Sequence, residues 1–211
     1  MARLQAILGQ HLPVFTIKKP VYQTVMLRSL QQVWTRNHTH LLDVGGGTGV
    51  IAEAMARLLP VQSVTAIDLV DRFCPTLTVP ARAYDGRNIP YADGAFDAAT
   101  LNNVMHHVPV AARQELMREI RRAVTGPLYI KDHLSTGVLD NLRLTLLDAW
   151  GNIPFGGMVS AHYLPRAEWE MLAAGAGYTI GAVAPSAAYR TGPAALAFPN
   201  RLEITMRLDP A

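Results

Sequence analysis

Residues 41–49 read Leu-Leu-Asp-Val-Gly-Gly-Gly-Thr-Gly, and the apolar, alanine-rich stretch Ile51 to Leu59 follows almost at once. Two apolar residues, an aspartate and a valine run straight into four glycines. That order predicts a short buried strand, a tight glycine turn and the start of a helix. The glycines Gly45, Gly46, Gly47 and Gly49 let backbone approach a ligand closely, and a helix N-terminus offers unpaired N–H groups.

Two cofactor classes use such a cradle. Gly47-x-Gly49-x-x-Ala52 satisfies the dinucleotide pattern G-x-G-x-x-G/A, and Asp68 lies about 20 residues further on, as that pattern asks. The discriminating residue is Asp43. A carboxylate two residues before the first glycine repels a pyrophosphate, whereas a sulfonium cofactor carrying an ammonium group accommodates it. Asp43, Gly45, Gly47 and Gly49 match D-x-G-x-G-x-G in full. Here the chain resembles the class I S-adenosylmethionine-dependent methyltransferases of the small-molecule, methyltransferase-11-like type.

The 211 residues, 50% hydrophobic and 17% charged, fit one α/β domain spanning 1–211. No apolar run is long enough for a transmembrane helix, and the N-terminus reads as mature sequence. Cys74 is the sole cysteine, so no internal disulfide forms and a reducing, cytoplasmic setting is the default. The net charge of +3 is small and spread out. Its densest group, Arg113, Arg118, Arg121 and Arg122, alternates with Glu115 and Glu119 and reads as a solvated helix face rather than a phosphate track.

Residues 1–39 predict an N-terminal helical cap, from the spacing of Leu4, Ile7 and Leu8 and a second helix after Pro20. Strands are expected at about 40–44, 63–67, 82–84, 97–101, 127–131, 178–183 and 202–208. Helices are expected at about 48–59, 110–124 and 166–175. Between them, 135–165 reads as an insertion: a helix carrying Leu139, Leu142, Leu146 and Leu147, then a glycine-rich loop with Trp150, Asn152, Phe155, His162 and Tyr163.

The resemblance implies a Rossmann-like three-layer sandwich. Its mostly parallel seven-stranded sheet has order 3-2-1-4-5-7-6 with strand 7 antiparallel, and 135–165 forms part of the acceptor pocket. It also implies S-adenosyl-L-methionine as cofactor, leaving as S-adenosyl-L-homocysteine. The cradle residues above bind it, with Asp68 accepting from the ribose hydroxyls; a helix N-cap is the structural alternative for Asp68. Asp85 would accept from the adenine amino group and the Gly86 N–H reach a ring nitrogen, while Leu69 and Ile89 wall the base. The backbone of Asn102 touches the methionyl moiety. In some small-amine methyltransferases a histidine after strand four works with a tyrosine from the lid; His107 and Tyr22 stand at those places, though His106 and His107 also read as structural histidines in a turn. Asp132-His133 could orient and deprotonate an acceptor hydroxyl, His133 as base; two ligands are too few to argue a metal site. The expected reaction is methyl transfer to an O or N atom of a small molecule.

Three rivals stand beside it. A nucleic-acid (RNA) methyltransferase would need a basic track, and exocyclic-amine modifiers carry prolines where this chain has Asn103-Val104-Met105-His106. A nicotinamide (NAD) oxidoreductase rests on Gly47 to Ala52 alone. A catalytically silent cofactor-binding module would keep the cradle without an acceptor pocket. Partners other than the small acceptor, and the oligomeric state, are not written in the sequence.

Overall fold

The computed structural model describes residues 1–152 and 161–211, with side chains given to 149 in the first segment. Seven strands form one sheet: β1 (His38–Val44), β2 (Val61–Asp68), β3 (Ala81–Ala83), β4 (Ala98–Asn102), β5 (Leu128–His133), β6 (Tyr178–Val183) and β7 (Glu203–Pro210). Their order is β3-β2-β1-β4-β5-β7-β6, and β7 runs antiparallel to both of its neighbours. The expected winding is therefore the observed one. β1 lies centrally, with Asp43 level with Ala66 on one side and Thr100 on the other.

Alternation along the strands feeds two apolar layers. Leu42, Val44, Ile67 and Leu101 pack with α5 (Val110–Ala123) and α7 (Arg166–Gly175), around Leu116, Ile120 and the buried Trp169. Leu41, Val64 and Ala66 point the other way. They meet α4 (Val50–Leu58) and the N-terminal helices α1 (Ala2–Gly9), α2 (Val14–Ile17) and α3 (Val21–Val33) through Leu8, Phe15, Leu30 and Met55. Two further helices are α6 (Val138–Asn152) and α8 (Gly192–Ala197).

Differences from expectation have local causes. The helix after the glycine turn begins at Val50 rather than Thr48, because Gly49 takes a left-handed φ of +79° that no helical residue can share. No helix follows β2, so Asp68 is not an N-cap. The arginine group of α5 is a solvated face only in part: Arg118 is exposed, whereas Arg113 and Arg122 are drawn into contacts. Arg113 is fully buried, donating to the carbonyls of Val108 and His162 and pairing with Glu168 of α7 at 2.6 Å. Arg122 clamps the loop before β4 through the carbonyls of Ile89 and Tyr91 and the carboxylates of Asp93 and Glu119. Periodicity placed these arginines on the polar side; it could not show that a second helix and a loop pack against that side. Among the described residues no helix is long and apolar enough to cross a membrane. Phe155 falls outside the described residues, and Trp150 and Asn152 are placed in backbone only.

Candidate active site

The turn after β1 is tied to β2: the amides of Gly45 and Gly46 both donate to the Ile67 carbonyl, at 2.8 and 3.0 Å. Gly45 also takes a positive φ of 74°, and a Cβ there would overlap Val104 from the turn after β4. The Val104 side chain from the turn beyond β4 thus packs directly on the bare backbone of Gly45.

A cleft of about 270 Å³ opens over this turn. Gly45, Gly46, Gly47, Asp43 and Asn102 line its floor, while Phe15, Tyr22 and Met26 line it from the N-terminal segment. The cap therefore lies against the glycine cradle itself.

Asp43 is 2% exposed and forms no ion pair among the described residues, although Arg72 lines the same cleft. Its Oδ1 accepts from Thr100 Oγ1 at 2.7 Å and from Asn102 Nδ2 at 3.3 Å. Burial dominates, pushing its pKa up from 3.8 to about 6. Asn102 Oδ1 is buried with no hydrogen-bond partner among the described residues. Two oxygens of the floor thus have acceptor capacity for a donor entering the cleft.

Asp68 closes the cradle from the next strand. Its Oδ2 accepts the Gly47 amide at 2.7 Å and its Oδ1 the Val70 amide at 3.1 Å. Asp85 stands two residues beyond Ala83, the partner of Asp68 across β2 and β3. Its carboxylate is occupied within its own turn, accepting from the Arg87 and Asn88 amides and from Asn88 Nδ2. Those bonds, led by Asn88, hold its pKa down at about 2. Leu69 packs over Gly86, where a Cβ would overlap it; Ile89 is buried at 2% exposure within the core rather than set on an open wall.

Beyond β4, Asn103 takes a φ of +55°, unlike every other described non-glycine residue. The expected pairing of Tyr22 with a histidine is not formed. The Tyr22 hydroxyl donates to Asn103 Oδ1 at 2.9 Å and lies 3.4 Å from Lys131 Nζ, and burial raises its pKa well above 10. Lys131 is itself buried and paired with Glu203 at 2.9 Å. Nothing in a lysine within a buried strand signals this; the partner lies 72 positions further along, brought alongside by the antiparallel β7.

The histidines gather separately. A single 3₁₀ turn, Met105–His107, follows β4. His106 points inward at 1% exposure and its Nδ1 bonds the buried Asp132. Asp132 also accepts the amides of Met105 and His133. It therefore serves the ring of His106 and not that of its neighbour His133, since successive strand residues project in opposite directions. Burial opposes a charge on His106, but Asp132 and Asp148 outweigh it and lift its pKa to about 9, whereas burial holds that of His133 down. His107 sits at the rim, its Nε2 3.7 Å from Asp148 of α6. Asp148 and Tyr163, joined at 3.1 Å, were not legible as partners of these histidines.

This sheet order, with a glycine cradle after β1 and an acidic residue ending β2, defines a class I methyltransferase fold. The family model described as methyltransferase domain matches residues 42–126, about two fifths of the chain. The chain is 31% identical over 117 residues to demethylspheroidene O-methyltransferase of Rhodobacter capsulatus, covering 52% of this chain and 29% of that one. It is 25% identical over 170 residues to malonyl-[acyl-carrier protein] O-methyltransferase of Geobacter sulfurreducens, covering 75% and 63%. The chain thus spans less than two thirds of either relative's length. Magnesium protoporphyrin IX methyltransferase of Synechocystis, solved with S-adenosylhomocysteine bound, superposes with a TM-score of 0.57 at 15% identity, covering 90% of this chain and 82% of that one.

Proposed function

We propose that the chain transfers a methyl group from S-adenosylmethionine to an oxygen or nitrogen of a small-molecule acceptor. The observation that carries this reading is the pair of acceptor oxygens, on Asp43 and Asn102, buried beside a glycine turn with no ion pair formed to either among the described residues. An ammonium group is the donor that fits both. Bound S-adenosylmethionine supplies an electrophilic methyl group on sulfur.

The chain's own residues then bind, align and exclude water, and alignment alone can contribute ~7–11 kcal/mol to such a displacement. Asp43 and Asn102 receive the ammonium end, and the amides of Gly45, Gly46, Gly47 and Gly49 follow the ligand. Asp68, already fixed to the Gly47 amide, keeps lone pairs for ribose hydroxyls. Asp85 holds the turn that presents the Gly86 amide and Leu69 to the base. Tyr22, Asn103 and the N-terminal segment close the cleft from above, so residues 1–39 act as a cap within a single domain. His107, at the rim, and His133, whose lowered pKa keeps it neutral at pH 7, are the candidate bases; residues 135–165 border them through Asp148 and Tyr163. A small acceptor fits because Arg113 and Arg122 are held by α7 and by loops, which leaves Arg118 as the one exposed arginine of that group for a nucleic acid to meet.

Thermal denaturation with and without ligand tests the reading. S-adenosylhomocysteine should raise the melting temperature and NAD should not; the reverse would indicate a dinucleotide enzyme. His107→Ala should leave that shift unchanged and slow turnover by ~10²–10⁴-fold, whereas loss of the shift would remove His107 from the acceptor side.

A further inference from the structure

Three imidazoles converge on one carboxylate beyond the ends of β4 and β5. Nε2 of His106 lies 3.3 Å and Nε2 of His107 3.7 Å from Asp148 Oδ2, and Nε2 of His133 lies 3.7 Å from Asp148 Oδ1. The ligand atoms of His106, His107 and Asp148 all fall within 4.8 Å of one another. We propose that His106, His107 and Asp148 form a three-ligand binding site for a divalent first-row transition-metal ion of the zinc type, with His133 beside it on the other oxygen of Asp148.

The spacing favours an ion over direct hydrogen bonds. An N–H···O bond is normally 2.7–3.2 Å, and His106 Nε2 faces Asp148 without hydrogen-bond geometry, buried and otherwise unpartnered among the described residues. Ligands bound at ~2.0–2.1 Å to a tetrahedral ion lie ~3.3–3.4 Å apart. The His106–Asp148 separation matches that figure, the His107–Asp148 separation exceeds it by a few tenths of an ångström, and the remaining separation of the three-ligand set lies within 4.8 Å.

The surroundings match a ligand set as well. Asp132 bonds Nδ1 of His106 and leaves Nε2 facing Asp148, where an ion would take the place of the Nε2 proton; a carboxylate behind a ligating histidine is the usual support of such a site. Tyr163 donates to Asp148 Oδ2 and steadies the carboxylate. Imidazole nitrogens with one carboxylate select zinc, iron or cobalt over magnesium or calcium, which prefer oxygen. His107 is 14% exposed at its side chain, so the cluster is reachable from outside. Its turn starts two residues after Asn103 of the cleft wall, so an open coordination position would take an oxygen of the acceptor. In that role the bound ion takes the place of His107 as the group acting on the acceptor and His133 remains the base; it rests on the methyltransferase reading, whereas ion binding does not.

The test uses the full chain without an affinity tag, stripped by chelator and titrated with Zn²⁺ and Co²⁺ by calorimetry and Co²⁺ absorption, with Mg²⁺ as the contrast. About one equivalent of Zn²⁺ should bind, Co²⁺ should show the ligand-field spectrum of a four- or five-coordinate ion, and Mg²⁺ should give no saturable signal. Asp148→Asn and the rim variant His107→Ala should each weaken Zn²⁺ by at least about 100-fold while keeping S-adenosylhomocysteine binding, which shows that they fold. No saturable Zn²⁺ or Co²⁺ binding, or equal affinity in both variants, overturns the site. A chain that binds Zn²⁺ at these residues but not S-adenosylhomocysteine retains the site and loses only the acceptor role.

Discussion

Asp43→Asn should stabilise the free protein at pH 8 and at the same time weaken its hold on S-adenosylhomocysteine. The carboxylate is buried with no ion pair formed among the described residues, and its pKa rises on folding from 3.8 to about 6. A group whose folded pKa is raised binds its proton more tightly in the native state. Its ionisation therefore costs stability progressively as pH rises from about 4 to 6, and fully above that. A displacement of this size corresponds to about 3 kcal/mol. Asparagine offers the same Oδ1 to Thr100 and carries no charge. The variant should therefore gain up to that amount at pH 8, with the gain shrinking towards pH 4. On the binding side it loses a charge-assisted hydrogen bond to the ammonium, worth about 1.5–3 kcal/mol, or roughly 10- to 150-fold in affinity. Urea unfolding at several pH values and calorimetry read both effects. A variant less stable than the parent at pH 8, or one binding as tightly, contradicts the role given to Asp43.

Gly126→Ala should cost about 3 kcal/mol, at the upper end of overpacking penalties. A Cβ at this position would overlap the backbone carbonyl oxygen of Asp97. That carbonyl cannot retreat: the Asp97 amide donates to the His40 carbonyl, and its carboxylate accepts the amides of Thr39 and His40. The collision falls on the start of both central parallel strands. A shift of the urea midpoint equivalent to less than about 1 kcal/mol would show that the loop yields where the contacts say it is held.

Gly126 also illustrates what the sequence conveyed and what it did not. A glycine just past a helix reads locally as a helix stop, while the steric reason for this one is a contact with Asp97, 29 positions earlier and just ahead of β4. The strands were readable because both faces of a parallel sheet are buried, so Leu41–Val44, Val64–Ile67 and Leu128–Ile130 are nearly continuous apolar runs. The winding order followed from the resemblance carried by Asp43 and the glycines. What escaped was contact across the fold. Adjacent histidines in one 3₁₀ turn differ only in which way the turn rotates them, so nothing local marks His106 as the buried one. Asp148 meets three imidazoles because α6 passes over the strand ends, and no spacing encodes that. Asp85 carries a family pattern, yet Arg87 and Asn88 take its oxygens locally.

Calorimetric titration of the parent and of Asp68→Ala with S-adenosylhomocysteine, both first shown to unfold cooperatively, bears most directly on an adenosyl ligand held between the glycine turn and the end of β2. The parent should bind saturably at one site and the variant should show no measurable heat, since the group that fixes the Gly47 amide, and that we propose receives the ribose, is gone. Equal affinity in the two proteins, or no binding by the parent, would contradict it.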